Sequence, residues 1–135
     1  MLNFCKQFLD KLSIDNGAVR VGIVTFSSRY TIEFNLNKYS SVRSLQQAID
    51  GMQWSPSFTK NTAEGIKAMH KYMFTSVNGD RPKASNIAII ITKGPSVDSQ
   101  RTLQEAMTAK SKGIHIYAVG IGLDEDLQSE VNSIA

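Results

Sequence analysis

The sequence predicts an α/β layered fold, and three observations carry that reading. Ile87 to Thr92 (Ile-Ala-Ile-Ile-Ile-Thr) belongs to a short, unbroken apolar run rich in β-branched Ile that stops at Lys93-Gly94-Pro95. Apolar residues at both alternating positions predict a strand covered on both faces, as in a parallel sheet layered between helices. Ile114 to Gly122 repeats the pattern after a helical segment, which predicts a second buried strand. Around these two runs, apolar residues recur at helical spacing. The resulting order is α, β, β, α, α, β, α, β, α, in one domain spanning residues 1–135.

Taken in order, Cys5, Phe8, Leu9 and Leu12 form the apolar stripe of a helix over 2–12, with Cys5 as a small buried hydrophobe. Asp15-Asn16-Gly17 closes it as a turn. Val19 to Phe26 and Tyr30 to Leu36 predict a hairpin through Ser27-Ser28-Arg29. Its first strand is the inner one, and Arg29 and Glu33 lie on the polar face of its edge strand. Ser40-Ser41 offers an N-cap to a helix carrying Val42, Leu45, Ala48, Ile49 and Met52. Residues 53–60 form a loop, with Trp54 packed beneath it. Asn61 and Glu64 have the spacing of a capping box, ahead of Ala63, Ile66, Met69 and Met73 on one face. Asp98 or Ser99 caps a helix that buries Leu103, Ala106 and Met107 and ends at Lys112-Gly113. Asp124-Glu125-Asp126 suits the N-terminus of a last helix with Leu127, Val131 and Ile134 inward.

Composition narrows the function. Of 135 residues, 41% are hydrophobic and 20% charged, as in ordinary globular chains. A net charge of +3 spread along the chain, without a dense Lys/Arg block, argues against nucleic acid as partner. No apolar run reaches the roughly 20 residues that cross a bilayer, and nothing has the form of a signal peptide. Cys5 is the only cysteine, and His70 and His115 lack metal-ligand spacing. Gly120-Ile121-Gly122 has no third glycine and precedes three acidic residues, so no nucleotide cofactor is expected. No catalytic set is visible, and His115 is expected to be a sheet residue.

Four blocks together resemble the von Willebrand factor type A (vWA) domain. They are Val21-Gly-Ile-Val-Thr-Phe-Ser27, Asn61-Thr-Ala-Glu-Gly-Ile66, Ile89-Ile-Ile-Thr-Lys-Gly94 with Ser96 and Asp98, and Gly113-Ile-His-Ile-Tyr-Ala-Val-Gly-Ile-Gly122. They come in family order and are similar to the extracellular-matrix members, such as those of collagen VI, matrilins and byssal thread matrix proteins. The resemblance implies a Rossmann-like, mostly parallel central sheet with one antiparallel edge hairpin and helices on both faces. It also implies a secreted, non-enzymatic adhesion or matrix-assembly role, with collagen, another matrix protein or a sulfated glycosaminoglycan as partner.

The departures from the family set further expectations. The family's first strand, with its Asp-x-Ser-x-Ser metal segment, and its last strand and helix have no counterpart. By the family strand order, the first strand would lie between the strands beginning at Val19 and Ile87. Either those two strands close together directly, or the chain is a fragment, the alternative favoured here. Lys60 aligns with the metal-site Thr, with Thr59 one residue off, and Lys93 aligns with the Asp of the Thr-Asp-Gly turn. A hard cation takes oxygen ligands, and an ammonium has no acceptor, so no metal is expected. The partner contact is expected at Thr59, Lys60, Thr62, Thr92, Lys93, Gly94 and Ser96. There the two lysines either replace the cation by pairing with a partner's acidic group or are solvated loop charges. The alternatives to a matrix adhesion module are an α/β domain binding a small anionic ligand or nucleotide at the same strand ends, and a purely structural assembly domain.

Overall fold

A computed structural model describes residues 1–53, 59–122 and 124–135. The elements are α1 (Leu2–Leu9), β1 (Ile23–Phe26), β2 (Tyr30–Phe34), α2 (Val42–Asp50), α3 (Thr62–Ala68), β3 (Ile87–Thr92), α4 (Ser99–Ser111), β4 (His115–Gly120) and α5 (Glu125–Ile134). The order matches the one predicted. The reading of Trp54 lies outside the described residues.

The strands form two two-stranded sheets. β1 pairs antiparallel with β2, Val24 opposite Ile32 and Phe26 opposite Tyr30. β3 pairs parallel with β4, Ile87 opposite His115 through Thr92 opposite Gly120. Among the described residues no backbone hydrogen bond joins β1 to β3, so these strands do not close onto one another. β1 is shorter than Val19–Phe26 because Phe34, at the end of β2, pairs with Ile23 and leaves the earlier residues without a cross-strand partner there. Val19 and Val21 instead pack into a core with Leu9, Ile14, Phe34, Leu45 and Ile49, which joins α1 and α2 to one face of the hairpin.

A second core lies on one face of β3–β4. It gathers Ile66 and Met69 from the α3 region, Ala88 and Ile90 from β3, and Ala106 and Ala109 from α4. Ile114, Ile116 and Ile134 complete it. Helix α3 joins the two halves, packing against β1, β2 and α4. Gly65 permits that approach: a Cβ on it would sit 2.6 Å from Cδ1 of Phe26.

Several expectations are corrected. β3 and β4 are not covered on both faces: Ile87 is 52% exposed, Ile89 40% and Tyr117 60%, and Val119 and Ile121 are exposed beside them. The helices that cover this sheet all pack on the Ala88–Ile90 face. In α4 the inward positions are Thr102, Ala106 and Ala109, whereas Met107 is 61% exposed. The helix turns its small residues to the tight α3–α4 interface and leaves the long side chain outside. The capping box is absent. Asn61 makes no side-chain cap bond and donates through Nδ2 to the Ser28 carbonyl at 3.4 Å, while Glu64 pairs with Arg101. α1 ends at Leu9, and Leu12 still packs on the first core. Arg29 lies in the hairpin turn, off β2, and Glu33 is half-buried, accepting from Thr25 Oγ1 at 2.7 Å.

The caps formed by Ser41 and Asp98 are as predicted, and Asp124 caps the helix whose acidic start was expected. Each side chain accepts from backbone N–H groups in the first turn of its helix. After Ala68 the chain continues as a π-helical turn, Met69–Met73, which keeps Met69, His70 and Met73 all buried.

Candidate functional site

The carboxyl ends of β1 and β3 and the N-terminus of α3 bring three loops together. Asn61 N–H donates to the Ser27 carbonyl at 2.7 Å, fixing the loop before α3 to the hairpin turn. Val97 N–H donates to the Lys60 carbonyl at 3.0 Å, fixing the same loop to the segment after β3. The Lys60 stem passes over Gly94, its Cγ 3.9 Å from where a Cβ would stand. Thr92 closes the turn after β3: its Oγ1 donates to the Gly94 carbonyl at 2.9 Å. Lys93 is exposed at the tip.

Lys60, Thr62, Thr92, Lys93, Gly94 and Ser96 therefore belong to one loop cluster, with Thr59 exposed at its margin. Within it the hydroxyls differ. Thr92 Oγ1 is used in its own turn, whereas Thr62 Oγ1 and Ser96 Oγ are buried without a hydrogen-bond partner among the described residues. Thr62 is fully enclosed at the start of α3. Buried hydroxyls are ordinarily satisfied, which sets these two apart in the cluster.

The carboxylates nearby are already engaged. Asp98 caps α4 through Arg101 N–H at 3.0 Å. Glu64 is ion-paired with Arg101, and that hydrogen bond, with the charges of Glu64, Glu105 and Asp98, raises the guanidinium's pKa further above its ordinary value. Glu130, buried on α5, accepts from Ser96 N–H at 2.9 Å. Among the described residues no group of three or more His, Cys, Asp or Glu side chains is placed to hold a metal ion.

Glu130 is the residue that sequence reasoning missed. Its signal was present: it falls three residues after Leu127 and four before Ile134, inside the inward stripe of α5. An acid at such a position needs a partner. Arg101 was equally hidden, because its partner Glu64 seemed explained by a cap. His115 is exposed, and its N–H donates to the Asn86 carbonyl at 2.9 Å, in keeping with a sheet residue.

Known proteins resemble the chain throughout. The family model of the von Willebrand factor type A domain matches residues 1–135. Human Matrilin-4 is 33% identical over 135 residues, covering 98% of this chain and 21% of its own length. The crystal structure of proximal thread matrix protein 1 from the mussel byssus superposes with a TM-score of 0.93 at 26% identity. That match covers 100% of this chain and 34% of the mussel chain. The same mussel protein with a zinc-occupied MIDAS motif matches at 25% identity, with a TM-score of 0.91 and coverage of 100% and 35%. The chain thus spans about a fifth of the matrilin and a third of the byssus protein. The α/β architecture agrees with these matches over the full length of the chain. The chain belongs to the von Willebrand factor type A domain family.

Proposed function

We propose that this domain is a non-enzymatic, extracellular protein-contact module that works without a divalent metal. Its partner face is the loop cluster at the carboxyl end of β3. What supports this reading is the charge of that face: the exposed Lys93 ammonium stands at its tip, and the neighbouring carboxylates are spent on a cap, an arginine and a backbone amide. The donor set does not fit a hard cation, which takes six to eight oxygens in the case of calcium and favours charged ones. Two orphan hydroxyls remain, beside an ammonium that has only donors to offer.

A cationic tip suits an acidic side chain of a collagen or another matrix protein, or a sulfate of a glycosaminoglycan. No helix among the described residues is long and apolar enough to cross a membrane. The experiment is binding of wild type, Lys60→Ala, Lys93→Ala and the double variant to immobilised collagen and heparin, in chelator and in magnesium or manganese. We expect retention in chelator and loss in the Lys93 variants. Retention that requires metal, or equal retention of all four proteins, overturns the reading.

A further inference from the structure

Away from the loop cluster, where the α3 segment crosses α4, a buried histidine sits between opposite charges. The His70 side chain is 6% exposed. Its Nε2 lies 2.7 Å from Glu105 Oε2, and its Nδ1 lies 2.9 Å from Lys112 Nζ. Lys112 Nζ also approaches the His70 carbonyl oxygen at 3.4 Å. A carboxylate can only accept and an ammonium can only donate. The pair therefore demands a proton on Nε2 and a lone pair on Nδ1, which is one tautomer of the neutral ring. A second proton turns Nδ1 into a donor facing another donor, with two positive charges in contact. The Glu105 bond survives that change and becomes an ion pair; the Lys112 bond does not.

We propose that His70, Glu105 and Lys112 form a proton-operated latch between the Met69–Met73 turn and the end of α4. The neutral ring closes it, and the imidazolium opens it by expelling Lys112. The other charges around it leave this exchange in place. Lys67 and Lys71 lie on the ring's own segment. Glu105 also acts on Arg101, which is paired with Glu64, and Lys110 turns to the Ala135 carbonyl oxygen. Among the described residues, Glu105 and Lys112 supply the hydrogen-bonding contacts to the ring. Lys112 is the C-cap of α4, and Gly113 follows with φ +85°, turning the chain into β4. Opening the latch therefore loosens the helix end that sets the start of β4.

Histidine is the side chain that ordinarily changes charge near neutral pH, and His115 is the other one here. The test uses the whole chain carrying His115→Gln, so that only His70 reports. Nitrogen-15 spectra of the imidazole and amide exchange are followed from about pH 8 to about pH 5. We expect an Nε2-protonated neutral ring at the alkaline end. As the ring takes its second proton, the Gly113 and Ile114 amides should shift with the same midpoint and exchange faster. In Lys112→Met the ring still titrates, and those amides no longer follow it. An Nδ1-protonated neutral ring overturns the proposal. So do Gly113 and Ile114 amides that stay unchanged through the titration, or that follow it equally well in Lys112→Met.

Discussion

The backbone N–H of Ser96 donates to the Glu130 carboxylate at 2.9 Å, tying the loop after β3 to a helix thirty-four residues further on. Glu130 is buried, so a protein contact takes the place of water at this carboxylate. Glu130→Ala leaves the amide unpartnered and is expected to cost about 1–3 kcal/mol. Glu130→Gln keeps an acceptor and should cost less. Urea midpoints rank the two variants, and the Ser96 amide resonance should move in both. An alanine variant as stable as wild type would remove Glu130 from the support of the loop.

Gly65→Ala provides a test of the α3–β1 contact. In an exposed helix the change gains about 1 kcal/mol. Here the new methyl meets the Phe26 ring at 2.6 Å. Overpacking of this kind costs about 1–3 kcal/mol, so the net effect is expected to be destabilising. Relief by Phe26→Leu in the same chain would confirm that the ring is the obstacle.

On β3 the neighbours Ile89 and Ile90 should respond differently to truncation. Ile90 points into the second core, and Ile90→Ala is expected to cost about 2–5 kcal/mol. Ile89 lies on the open face, and Ile89→Ala should cost about 1 kcal/mol or less. Equal losses in denaturant unfolding would mean that the open face is covered in solution.

Cys5 is half-buried against the first core, and that desolvation raises its thiol pKa, with the nearby N-terminal charge opposing in part. The folded chain therefore holds the neutral thiol more firmly than the unfolded chain does. The associated stability is present below the unfolded thiol's ordinary value of about 8.5 and is lost as pH rises through the folded value. Alkylation near that pH should be slower in the native protein than in urea. Equal rates would show that Cys5 is not shielded.

Much of the fold was legible because strands and helices here have clean periods and two of the predicted caps are used. The loop cluster was legible too, since it follows from the strand ends and the family blocks. Burial was less so. The alternating Ile residues of 87–91 look the same whether one face or both are covered, and only the placement of the helices decides it. Side-chain commitments were hidden for a related reason. Glu64 has two plausible partners in sequence, its own N-cap and a distant arginine, and helix packing brings the arginine close. Glu130 and Ser96 meet only after α5 has docked.

Helix α3 is the bridge between two small cores that share no strand pairing among the described residues. Each core has its own sheet and its own helices, so each is a natural unit of local unfolding. Helix α3 with its Gly65–Phe26 contact links them, together with the hydrogen bonds from Arg20 to the Gly79 carbonyl and from Arg81 to the Gly17 and Ala18 carbonyls and the Tyr30–Tyr72 ring contact. A force applied to the hairpin half and resisted at the β3–β4 half would be shared between α3 packing and the two arginines, Arg20 and Arg81, that clasp backbone carbonyls across the halves.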